Sequence, residues 1–340
     1  MKKNTPPDMP SLLPSAPEAS ASGTPAEEKT AASLPPLAAE PPLHARNRAE
    51  RAEGWRALLL GLSCLLFWKA TLLIPSGQPV VVWTTTLLYL LITLCFTVQT
   101  ARALRSPASV AFNLCLSGAL ALPSILVPLL AMRFPEWHGW VSIGPFFLSY
   151  QRALMLAPGL HGLLLIWFAT SIGVGLSRAV REVKLLLPMA VALALVDLYV
   201  VYWGGLVAQA TSGHSQMAQA AMQTLTVKMP RPLTRHGAAP MGLAVGFADF
   251  LFIALFFACF ARFGIPSGRT FGVLCGVLAV YMLAVGLIGW DLPALVPVGV
   301  VVIGLNWRRF RYERSEAFAL LYAALIALAV VAGLYFLSHR

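Results

Sequence analysis

Charge is scarce in this chain. Lys and Arg number 25 and Asp and Glu 14, so charged residues make up 11% of the sequence against 58% hydrophobic ones. A soluble domain carries about a quarter charged residues, so this composition excludes that class and predicts a polytopic membrane protein. The net charge of +11 is no footprint for nucleic acid. The basic residues sit in short loops between apolar runs, the pattern that orients a protein in an inner or plasma membrane. Cysteine is sparse as well. Cys64, Cys95, Cys115, Cys259 and Cys275 all fall inside apolar runs and form no CxxC pair. Neither a disulfide framework nor a zinc site is implied; the thiols read as small buried hydrophobes. No metal and no cofactor is expected. Prolines and polar residues follow Lys2 and Lys3, so the start does not read as a signal peptide. Residues up to about 45 have no hydrophobic period and are expected to be a disordered tail.

What the chain does have is length of apolar run. Spans are predicted at 56–75, 80–100, 109–132, 156–177, 185–207, 240–261, 269–289, 292–306 and 316–337. All but 292–306 are long enough to cross about 30 Å of hydrocarbon. The aromatic stretch 134–150, broken by Pro and Gly, reads as interfacial or re-entrant. Basic residues concentrate in alternate loops: Arg46, Arg48, Arg51 and Arg56; Arg102 and Arg105; Arg178, Arg181 and Lys184; Arg262 and Arg269; Arg308, Arg309, Arg311 and Arg314. The positive-inside rule places that side in the cytoplasm. The expected fold is all-α: a polytopic membrane helix bundle of about nine transmembrane helices, N-terminus inside. It divides into a tail (1–50), N-terminal transmembrane helices (51–180), a stretch holding the chemistry (181–310) and an extra C-terminal helix (311–340). The expected setting is a bacterial inner membrane.

Two carboxylates interrupt this apolar pattern. Asp197 lies in AVALALVDLYVVYWGGL and Asp249 in MGLAVGFADFLFIALFF. An ionisable group inside a span is costly and normally functional. The predicted topology runs the Asp197 helix outward and the Asp249 helix back. At 1.5 Å per residue both then lie roughly 12–14 Å below the outer surface. The 292–306 span is too short for the whole core. It fits as a helix starting below the surface, with Pro293 in its first turn and a non-helical lead lining a wet cavity.

Three motifs follow in order: Val196-Asp197-Leu198-Tyr199, then Gly246-Phe247-Ala248-Asp249, then, one helix later, Pro293-Ala294-Leu295. Over roughly residues 185–306 this resembles the presenilin and signal peptide peptidase type of intramembrane aspartyl protease, with its YD, GxGD and PAL motifs. Val196 stands where that family usually has Tyr, and Ala248 where it has Gly. Four predicted helices precede Asp197, where the family has five. The resemblance implies a presenilin-like core, with Asp197 and Asp249 as the catalytic dyad. It implies that Gly246, Ala248, Pro293, Ala294 and Leu295 shape the site and hold substrate. The substrates implied are transmembrane helices or signal-peptide remnants in the lipid bilayer. The outward run of the Asp197 helix resembles signal peptide peptidase.

The chemistry of such a pair stands without the family. Two close carboxylates in a low-dielectric site cannot both ionise readily, so they share a proton and titrate as a unit. The ionised member can activate water while the neutral one protonates the scissile carbonyl. Which Asp takes which role is open.

Other residues carry less. Gly242-x-x-x-Gly246 predicts close helix packing at the Asp249 helix. Residues 215–228 read as an amphipathic surface helix, with Met217, Ala218, Ala221, Met222 and Leu225 on one face. Thr226–Pro230 could alternatively pair with unwound substrate as an added strand. Lys69 is expected to snorkel. Asn113 and His161 are expected to bond between helices, and Asp291 to cap the Pro293 helix. His214 and His236 have no companion ligands. A proton-coupled transporter and a catalytically silent relative that binds membrane proteins remain alternatives.

Overall fold

The computed structural model describes residues 43–71, 73, 79–133, 158–202, 221–222, 224–230, 244–288, 293–310 and 312–313, with positions 318, 322, 326 and 329 in the last apolar run. The tail to residue 42, the stretch 134–150, His214, His236, Gly242 and Asp291 lie outside these residues. Among the described residues, eight α-helices and two short strands follow one another: α1 (Leu43–Thr71), α2 (Pro79–Ala103), α3 (Pro107–Arg133), α4 (Pro158–Ser177), α5 (Leu186–Tyr202), β1 (Thr226–Lys228), β2 (Ala244–Gly246), α6 (Phe247–Arg262), α7 (Gly268–Ile288) and α8 (Leu295–Asn306). The fold is mostly helical. Among the described residues, five stretches are long and apolar enough to cross a membrane: Val80–Ala103, Pro107–Leu126, Gly159–Ser177, Val183–Val201 and Gly268–Val285.

The helices turn large apolar side chains outward at helical spacing, such as Leu58, Leu62 and Leu66 on α1 and Phe112, Leu116 and Leu120 on α3. That surface suits hydrocarbon and not water. Inside, hydroxyls bond back to their own helices, as lipid demands. Thr93 donates to the Leu90 carbonyl, Thr97 to that of Thr93 and Thr170 to that of Ile166. Asn113 does the same, donating to the Ser109 carbonyl on its own helix rather than across a helix interface.

The most extensive packing joins α4 to α6, and α6 also rests on α2. Gly173 makes the α4–α6 contact possible. A Cβ there would fall 2.2 Å from the Leu251 carbonyl oxygen and 3.0 Å from the Ala254 Cβ. At the end of α6, Arg262 Nη1 donates to the carbonyls of Ser177, Arg178 and Val180, at 3.0, 3.2 and 2.9 Å. These are terminal carbonyls of α4 and the residues just after it, which lack intrahelical donors and suit a cation. Arg178 bonds the Arg105 carbonyl, Arg102 the Ser267 hydroxyl, and Arg105 pairs with Glu53. The basic loops after α2, α4 and α6 therefore share one end of the bundle.

α5 packs mainly on α8, whose Gly299 lies against the Ala190 carbonyl. β1 and β2 pair antiparallel, with Thr226 opposite Gly246, Val227 opposite Val245 and Lys228 opposite Ala244. Here the chain departs from the expected 240–261 helix. Residues 244–246 are strand, α6 begins only at Phe247, and Gly246 is its N-cap rather than part of a helical GxxxG stripe. The expected amphipathic helix likewise gives way to β1 after Leu225.

Candidate functional site

Asp249 sits in the first turn of α6, not eight residues into a helix. Its Oδ2 accepts the backbone N–H of Gly246 at 3.0 Å. A carboxylate three residues inside a helix commonly reaches back this way, satisfying a donor the helix cannot. Gly246 lets it come close, since a Cβ there would lie 3.2 Å from the same oxygen. The glycine of the GFAD motif is thus explained by contact with the aspartate. Ala248 is exposed beside it, and Phe247 packs on Phe168 of α4 at 5.8 Å between ring centroids.

Asp197 lies past the middle of α5, where no backbone donor of its own helix is free. Its Oδ2 accepts the N–H of Leu295 at 2.8 Å, across 98 residues. Leu295 is the first residue of α8, and the N-cap Ala294 offers no side-chain acceptor. The carboxylate of one helix therefore caps another. Pro293 is buried just ahead of that cap, outside the helix rather than in its first turn. Pro297 falls at the third helical position, where its missing N–H costs nothing. The expected cap at Asp291 is replaced by Ala294 with Asp197 supplying the acceptor.

The two carboxylates are close enough to interact electrostatically. Among the described residues, the second oxygen of each has no hydrogen-bond partner. The structure joins Asp197 to Leu295 and Asp249 to Gly246, with Pro293 and Ala294 just ahead of Leu295 and Ala248 beside Asp249. Both aspartates are half-buried as residues. Each has one oxygen fixed by a backbone donor and one left for a ligand. That is the arrangement in which a carboxyl pair can bind and polarise a water or a carbonyl. Among the described residues no group of three His, Cys, Asp or Glu side chains could hold a metal ion.

One contributor was not visible in the sequence: β2, which positions Gly246 and whose residues read as more of an apolar helix. His161 of α4, expected to bond between helices, contacts the carbonyl of Thr224, a helical residue just before β1, at 3.3 Å.

No protein-family model matches the chain, and neither a curated protein nor a solved structure is found similar to it.

Proposed function

We propose that this protein is an intramembrane aspartyl protease that hydrolyses peptide bonds in transmembrane segments or signal-peptide remnants. The single observation that carries this reading is the bond from the Leu295 N–H of Pro293-Ala294-Leu295 to Asp197, with Asp249 close enough to interact. Two separated motifs meet in that bond, and Asp249 of the third feels the Asp197 charge. On this reading one carboxylate takes a proton from water as the other gives one to the scissile carbonyl. The neutral tetrahedral intermediate then collapses with proton transfer to the leaving amine. The Leu295 and Gly246 amides orient the two acids and leave the reactive oxygens free. The presenilin-like core, the cytoplasmic basic loops and the bacterial inner membrane belong to the same proposal. A substrate strand would add to the β1–β2 sheet at an open edge.

A second reading has a specific observation behind it. Each carboxylate already serves a helix N-terminus, Asp249 its own and Asp197 that of α8. A silent relative could keep both for that purpose alone. Asparagine separates the two readings, because its amide oxygen still accepts the backbone N–H while the acid is gone. Purified detergent-solubilised protein is offered a panel of membrane-spanning peptides between about pH 4 and 8, and fragments are read by mass spectrometry. Cleavage by wild type that is abolished in Asp197→Asn and in Asp249→Asn is expected. Absence of cleavage by wild type across the panel contradicts proteolysis and leaves capping, with proton-flux assays to test transport.

A further inference from the structure

His161 stands in the first turn of α4, at the edge of an apolar span, and is only half-buried. Its Nε2 lies 3.3 Å from the carbonyl oxygen of Thr224. A carbonyl only accepts, so Nε2 is the donor. Thr224 and Leu225 are helical and the chain turns into β1 at Thr226. One residue along α4, Gly162 makes a notch. A Cβ there would lie 3.2 Å from Val227 Cγ1, and Val227 is fully buried. β1 is thus held on α4 by a hydrogen bond at one end and a side chain seated over a glycine at its centre.

From β1 the path to the carboxylate is short. Thr226 pairs with Gly246, and the Gly246 N–H holds Asp249 Oδ2. We propose that His161 is a positioning residue for Asp249, acting through the Thr224 carbonyl and the β1–β2 ladder. It touches neither substrate nor the reacting water. The catalytic half of this inference rests on the proteolytic reading; the mechanical half does not.

The test uses the full chain in detergent and two readouts: amide hydrogen exchange of segments 224–230 and 244–250, and peptide cleavage. His161→Leu removes the donor. His161→Gln places an amide N–H at similar reach. Loss of one hydrogen bond predicts about tenfold faster exchange in both segments and about tenfold lower kcat for the Leu variant, with the Gln variant close to wild type. Gly162→Ala should raise exchange in the same segments. Adding Val227→Ala, which removes the clashing methyl, should bring it back. This pair decides the matter if His161→Leu does not fold.

Unchanged exchange in His161→Leu and Gly162→Ala overturns the latch, as does a Gln variant no better than Leu. Faster exchange with unchanged kcat overturns the positioning role. If wild type cleaves nothing, the proteolytic reading fails, and the exchange readout alone decides whether His161 holds the sheet to α4.

Discussion

The two aspartates are mounted very differently. Asp249 starts α6, in which nine of 16 residues are buried. That helix touches α4 backbone to backbone at Gly173 and is tied to it again through Arg262. Asp197 stands on α5, where, among the described residues, only Leu186 and Ala190, near its start, are buried. Beyond Ala190, the Asp197–Leu295 bond ties α5 to α8. One carboxylate belongs to a rigid packing unit and the other to a helix, α5, with little cover among the described residues. On the proteolytic reading proposed above, such asymmetry suits a site that admits a bulky substrate and aligns two acids: one acid fixed, the other able to adjust.

The largest expected effects fall on activity. Asp197→Asn and Asp249→Asn should each lower peptide cleavage by about 10²–10⁴-fold, the range for losing a general acid or base, while thermal unfolding barely moves. A fall in melting temperature to match would point to capping instead. Next comes the rigid unit. Gly173→Ala forces a Cβ against the Leu251 carbonyl, and two backbones must separate. A loss of about 1–3 kcal/mol or more is expected, read as a lowered unfolding midpoint in detergent.

Arg262→Ala should follow at about 1–2 kcal/mol, since it removes a charged donor shared by three carbonyls. Arg262→Lys should recover part of this. The mildest change is Gly299→Ala on the α5–α8 contact, where the new Cβ would sit 3.4 Å from the Ala190 carbonyl. Less than about 1 kcal/mol is expected, because the sparsely covered α5 can shift slightly. Equal costs at Gly173 and Gly299 would remove the distinction between a rigid and an adjustable half.

Much of the helical layout was legible in the sequence. Long apolar runs bounded by Arg, Pro or Gly placed α2, α3, α4 and α7 within a few residues, because a span leaves the backbone no alternative to helix. The aspartates were legible for the complementary reason, as carboxylates in hydrocarbon. The start of α6 was not. Residues 240–246 are apolar and short, and such a run fits strand or helix equally well. What decides it is β1, whose pairing partner lies about 20 residues away in sequence, beyond any local periodicity. The Asp197–Leu295 bond was suggested by motif order, but its form was not. Nothing local indicates that Ala294 would take the cap position and leave the acceptor to another helix. Asn113 was misjudged because an amide in a lipid-facing helix can satisfy itself on its own i−4 carbonyl.

The most direct test of the central claim is a double-variant comparison. Cleavage rates of Asp197→Asn, Asp249→Asn and the combined variant are measured on one membrane-spanning peptide. Groups that act as one unit lose nearly everything with the first change, so the double variant should be no slower than either single. Losses that multiply in the double variant, or a single variant that still cleaves at the wild-type rate, would contradict a shared dyad.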